Sequence, residues 1–325
     1  MKLHSSTGFS RRSDRRYNQI ILAGITALTL ATGVFAQQPG PHEVIAHKTN
    51  PHGDASPTAG STGSQIPLIT YHGGAVMNTP TVYLIWYGNW NQTNGTDTAA
   101  GQIIVRDFVF GLNNSGYYQI NTSFATNNGS PTGSVATGAE TSDAYSQGSK
   151  LSDSKVQLVV SSAISSGRLP KDTSGLYFVL TSSDVAEISG FCTKYCGWHT
   201  AATIGGSNIK YSFVGNSARC LTSCAAQQVG PNGNPGVDGM ISVLAHELEE
   251  TNTDPNPRSG WADSNGAENG DKCAWTFGQN VSVLPTGAYF NMTLPTSSNT
   301  SRNYLVQRNL DANSLCYVNY ATKTQ

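Results

Sequence analysis

Residues 79–90 read TPTVYLIWYGNW, a run of β-branched and aromatic positions bounded by turn residues, and they predict a buried strand. The pattern then becomes helical. In AGQIIVRDFVFGLNN, Ile103, Ile104, Phe108 and Leu112 recur near helical spacing. DSKVQLVVSSAISSGRLP places Val156, Val159, Val160, Ala163 and Ile164 on one stripe, with Ser152 or Asp153 positioned to cap it. SGLYFVLTSSDV and IKYSFVGN return to the strand pattern. PGVDGMISVLAHELEETNTDP predicts a helix that begins at Asp238 and stops before Pro255. Beyond it, QNVSVLP, AYFNMTL and NYLVQRNL read as short strands between turns. Interleaved helices and strands predict a single mixed domain, α/β or α+β, over residues 65–325.

The N-terminal pattern differs. Arg11, Arg12, Arg15 and Arg16 precede an apolar run from Ile20 to Val34, followed by Phe35-Ala36. This order predicts a secretory signal peptide over residues 1–36. The run is shorter than the roughly 20 residues a membrane span needs, and no other stretch is long and apolar enough. The mature chain is therefore expected to be secreted, extracellular and free of the membrane. Residues 37–64, rich in Pro, Gly, Ser and Thr, read as a flexible linker or pro-segment. His42, His47 and His52 within it are expected to be solvated.

Charge narrows the function. Only 12% of residues are charged and the net charge is −1, which excludes the basic footprint of a nucleic-acid binder. Few charges and many Ser, Thr, Asn and Gly suit an extracellular chain, and N-x-[ST] sequons, among them Asn91, Asn94, Asn121, Asn291 and Asn299, could carry glycans in a eukaryote and would mean nothing in a bacterium. The six cysteines all follow residue 190: Cys192-x3-Cys196, Cys220-x3-Cys224, Cys273 and Cys316. An even count in an exported protein predicts disulfides stabilising the C-terminal half. The neighbouring pairs could each close a small loop, leaving Cys273 to join Cys316. A zinc site built from the two C-x3-C pairs, with His199, is the rival.

The candidate chemistry lies in VLAHELEETNTDP. His246 and Glu250 are four residues apart, about 40° round a helix, so both can reach one ion. This is the metallopeptidase pattern H-E-x-x-H with a Glu in place of the second His. Imidazole and carboxylate both bind zinc, and Glu247 would then stand where a general base takes a proton from water. Ile241, Leu244, Ala245 and Leu248 form the expected core stripe of this zincin-like central helix. The plainer reading is a solvated acidic helix face.

The loop GWADSNGAENGDKCAW adds Asp263, Glu268 and Asp271 among glycines and asparagines. Glu268 or Asp271 could complete the His246–Glu250 shell, with Asp254 as a further ligand or an acceptor for the His N–H. Zinc is the candidate ion. Calcium held by the loop oxygens alone is the alternative, although the loop is incomplete against the EF-hand pattern. His72 and His199 stand alone in the sequence and read as structural residues. No G-x-S-x-G elbow, Walker A motif or convincing G-x-G-x-x-G is present. Trp86, Trp90, Trp198, Trp261 and Trp275 could stack on sugars, though Trp is more often packed.

Several ordered blocks carry a family resemblance: ITYHGGAVMNTPTVYLIWYGNW, IIVRDFVFGL, GLYFVLTSSDV, GFCTKYCGWH, YSFVGN and GVDGMISVLAHELEE. Together they resemble the phosphate-induced protein 1 / EXORDIUM-like family over residues 69–316. The resemblance implies an extracellular protein linked to the plant cell wall and to growth control, and it brings no secure activity. Two functions therefore compete. One is a metal-dependent hydrolase acting on an extracellular peptide or protein. The other is a non-catalytic binder of a cell-wall polymer or partner with a structural acidic loop.

Overall fold

The computed structural model describes residues 43–46, by their backbone, and residues 67–325. The predicted signal peptide lies outside the described residues, as do His42, His47 and His52. Of the segment 37–64, only Glu43–Ala46 is described, and it forms a strand.

A six-stranded mixed sheet organises the domain. Its strands are β1 (Glu43–Ala46), β2 (Thr81–Tyr87), β3 (Ala136–Asp143), β4 (Gly175–Thr181), β5 (Tyr195–Ile204) and β6 (Ser207–Gly215). Their order across the sheet is β1-β5-β6-β4-β2-β3. β3, β2, β4 and β6 run parallel, in registers such as Tyr83 opposite Tyr177 and Val179 opposite Phe213. β5 folds back antiparallel on β6, and β1 pairs antiparallel with the outer edge of β5. β4 is buried at every position, as a central parallel strand covered on both faces should be. β3 is mostly exposed and polar, which is why its ATGAETSD sequence gave no strand pattern.

Helix α1 (Ala99–Leu112) starts where Thr98 accepts the Gly101 N–H. Helix α2 (Asp153–Ser165) has Ser152 at its cap position, but that side chain makes no capping bond and meets the Ser154 hydroxyl instead. Helix α3 (Pro235–Thr253) begins three residues before the predicted Asp238. Asn234 accepts the Val237 N–H, and Pro235 supplies the preset first-turn φ without wasting a donor. The predicted stop before Pro255 agrees with the observed end at Thr253.

The burial of α3 departs from the expected amphipathic stripe. Gly236 to Thr253 are all buried, so the helix has no solvated face. It packs on β5 and β6 and also meets α1. Beyond it come short two-stranded ladders, including Ser282–Val283 with Tyr289–Phe290 and Met292–Pro295 with Ser301–Tyr304.

The disulfides join Cys192 to Cys220, Cys196 to Cys224 and Cys273 to Cys316. The last pairing agrees with the expectation. The first two correct it: neighbouring cysteines do not close small loops. Cys220 and Cys224 bracket the helical turn Leu221–Cys224, so their sulfurs leave on one side, and Cys192 and Cys196 bracket the entry to β5. Two side-by-side bridges, with Cα–Cα distances of 5.7 and 5.4 Å, therefore staple that turn to the strand. All six cysteines are bridged, which removes the cysteine-based zinc site.

Candidate metal centre

Glu247, Glu249 and Glu250 are each 0% exposed, so the acidic face of α3 is not a solvated surface. Burying ionised carboxylates costs several kcal/mol apiece unless they are paired or share protons or a cation. The geometry around them answers that cost in two different ways.

Glu249 turns away from its neighbours. One of its oxygens accepts the Asn309 amide at 2.6 Å, and burial pushes its carboxyl well above the ordinary range. It is a buried core acid tied to Asn309, and its burial favours the protonated form.

Glu250 lies between two histidines. Its Oε1 is 2.8 Å from His246 Nε2 and accepts the Asp271 backbone N–H at 3.0 Å. Its Oε2 is 3.7 Å from His199 Nε2 and accepts no hydrogen bond among the described residues. Glu268 Oε2 stands 3.4 Å from the same His199 nitrogen, and Asp271 Oδ1 stands 3.6 Å from His246 Nε2. Two sets of potential ligand atoms result, His199, Glu250 and Glu268, and His246, Glu250 and Asp271, and within each set the atoms lie within 4.8 Å of one another. Tetrahedral bonds of roughly 2.0–2.2 Å place ligand atoms about 3.3–3.6 Å apart, too far for hydrogen bonds and close to the spacings seen here.

Each element contributes for a local reason. The i, i+4 spacing of α3 presents His246 and Glu250 together. Strand alternation turns Gly197 and His199 of β5 towards α3, while Trp198 packs on the other face against Tyr211 and Phe213. Gly197 leaves the room that Glu247 uses: a Cβ there would lie 2.5 Å from Val243 Cγ1 and 3.0 Å from Glu247 Oε1. Gly270 does the same on the loop, where a Cβ would lie 2.8 Å from Glu250 Oε1 and 2.9 Å from His246 Nδ1.

Electrostatics tie His246 and Glu250 into one unit. Burial alone would lower the His246 imidazole, but Glu250, Asp271 and Glu247 reverse this and hold it well above its ordinary value. Burial raises the Glu250 carboxyl, with Asp271 adding to the effect and His246 opposing it. Both shifts favour the protonated forms, and a metal ion would have to compete with a proton for the pair.

The predicted site residues separate clearly. His246, Glu250, Glu268 and Asp271 come together, with Glu247 alongside on the β5 side of α3. Asp254 belongs to neither set: its carboxylate accepts the backbone N–H groups of Ser259 and Gly260 at 3.0 and 2.7 Å and shapes the turn after α3. Asp263 pairs with Lys272 and accepts the Asn265 and Ala267 N–H groups, so the loop acids do not converge as a calcium loop would. His199 is the residue that sequence reasoning undervalued. No local motif marks it; its only signal is a lone His in a strand-like stretch directly after Cys196. His72 bonds the Ala262 carbonyl at 3.0 Å and is structural, as expected. Trp86, Trp90 and Trp198 are buried, and Trp261 packs on Tyr71 and Phe124.

The arrangement is that of a disulfide-bonded, mixed α/β domain with a buried His–carboxylate cluster between a sheet and its central helix. The family model described as "Phosphate-induced protein 1 conserved region" matches residues 69–314. The chain therefore belongs to the phosphate-induced protein 1 / EXORDIUM-like family. Protein EXORDIUM-like 3 of Arabidopsis thaliana is 33% identical over 279 residues, covering 75% of this chain and 80% of that protein. Protein EXORDIUM-like 5 of the same plant is 31% identical, covering 66% of each chain. Protein PHOSPHATE-INDUCED 1 of Nicotiana tabacum is 30% identical over 58% of this chain and 65% of its own. No solved structure matches significantly. No helix among the described residues is long and apolar enough to cross a membrane, and the disulfides suit an oxidising compartment.

Proposed function

We propose that this chain is a secreted, zinc-dependent hydrolase acting on peptide bonds. The observation that carries the reading is that His199, Glu250 and Glu268, and His246, Glu250 and Asp271, form two sets of potential ligands that share Glu250, with spacings of 3.4 to 3.7 Å apart from the 2.8 Å contact between His246 and Glu250. The mixture of imidazole and carboxylate fits zinc, and its acid-rich balance would also admit a harder ion such as manganese. Calcium is disfavoured because Asp263 is committed to Lys272.

When bound, zinc would polarise a substrate carbonyl and make water a stronger nucleophile. The rest belongs to the chain. Glu247 directly follows His246 and faces the space left by Gly197, where it would take the proton from water and later deliver it to the leaving amine. His199, on the facing strand, would hold the ion from the sheet side and fix its distance from Glu247.

The test is Glu247→Gln. Hydrolysis of an unstructured protein such as casein should fall by about 10²-fold or more, the usual weight of a general base, with zinc content unchanged. Activity that survives the substitution removes Glu247 from the reaction.

A further inference from the structure

The strand that carries His199 has an outer edge, and the structure shows what lies on it. β1 runs antiparallel along β5 with Glu43 opposite His199, Val44 opposite Trp198, Ile45 opposite Gly197 and Ala46 opposite Tyr195. His199 and Gly197 are the two β5 positions that face the cluster on α3. β1 is also the last strand of the sheet, so without it β5 would present a bare row of N–H and C=O groups beside the candidate metal centre.

We propose that the outer edge of β5 is the binding site for an extended polypeptide, and that Glu43–Ala46 is its internal occupant. A bare sheet edge recognises peptides through main-chain hydrogen bonds, so it takes an added strand of tolerant sequence. An extended strand also holds each of its peptide bonds at a defined distance from the neighbouring strand, as a hydrolase of unfolded or extended peptides requires. β1 has the character of a displaceable occupant. It is four residues long, its register breaks between Ile45 and Ala46, and the segment joining it to the domain is rich in Pro, Gly, Ser and Thr. A short strand paired on one side contributes little stability of its own. Displacing or removing it would open the edge to substrate, making β1 a restraint on the centre. The assignment of the bound polypeptide as substrate rests on the hydrolase reading above; the occupancy of the edge does not.

The test uses the full exported chain and a version carrying Val44→Pro together with Ile45→Pro, which cannot maintain the β1 ladder. The probe is a fluorescein-labelled peptide spanning residues 41–49, followed by anisotropy. A tethered occupant competes at an effective concentration on the order of millimolar, so the peptide should bind the proline variant at least roughly ten-fold more tightly than the unaltered chain. Its binding should also slow hydrogen exchange at residues 197–200. Equal affinity for the two proteins, or unchanged exchange at those residues, overturns the proposal. If the proline pair prevents folding, Val44→Gly with Ile45→Gly carries the same comparison. Zinc content and casein hydrolysis are measured on the same samples. Peptide capture without zinc or hydrolysis sinks the hydrolase reading and leaves the edge site standing; zinc and hydrolysis without differential capture do the reverse.

Discussion

At the scale of single residues, the cluster depends on what is missing as much as on what is present. Gly270 has no side chain because one would press on Glu250 and His246. Gly270→Ala should therefore weaken zinc binding by about 10–100-fold, the range seen when the supports of a metal ligand are disturbed, and competition with a chromogenic chelator would measure it. An unchanged affinity would place the loop farther from the ion than proposed. A second prediction concerns Glu140, which has no part in the site. Burial would raise its carboxyl, but Arg106 donates to both of its oxygens at 2.8 Å and Trp86 adds a bond at 3.0 Å, and together these hold it below its ordinary value of 4.5. A depressed carboxylate stabilises the fold above its unfolded pKa, and that contribution is lost as the pH falls through its folded one. Glu140→Gln should accordingly lower the denaturation midpoint at pH 7 and match the parent in strong acid. A gap that persists in acid would point to lost packing instead.

At the scale of elements, the helix that carries the candidate site is fastened at its N-terminal end. Asn234 caps the N-terminus of α3 and also donates to the Thr96 carbonyl at 3.1 Å. Asn234→Ala should cost about 1 kcal/mol, the usual value of a lost cap, readable by urea denaturation. The twin disulfides hold β5 against the turn before α3, and replacing Cys192 and Cys220 together by Ser should cost about 2–4 kcal/mol. Much of this architecture was legible in the sequence. The long helices, β2, β4 and β6 follow from periodicity, and the even cysteine count predicts disulfides, but not their pairing: Cys273 does join Cys316, while the two small loops expected beside that bridge do not form. β3 escaped because its side chains are polar and exposed, and β1 because four residues in a linker-like segment make no pattern. The H-E-x-x-E helix and the loop acids were visible as local motifs. His199 was not: β5 and β6 form a local hairpin about Gly205-Gly206, but the role of His199 comes from β5 meeting Glu250 of α3 and Glu268 of the loop, contacts about 50 to 70 residues away along the chain that no window of sequence contains.

At the scale of the whole molecule, a sheet, one buried helix and one loop converge on a set of acids and imidazoles that the fold keeps out of water. A metal held there as proposed would couple its occupancy to folding, since an ion bound only by the native state adds stability in proportion to the logarithm of its concentration over Kd. The most direct measurement is elemental mass spectrometry of the purified chain after zinc reconstitution and dialysis, beside His199→Ala and His246→Ala variants with unchanged circular dichroism. Near-stoichiometric zinc in the parent, lost from both variants, is the expected result. No zinc in the parent, or zinc that survives both substitutions, would contradict a metal centre between β5 and α3.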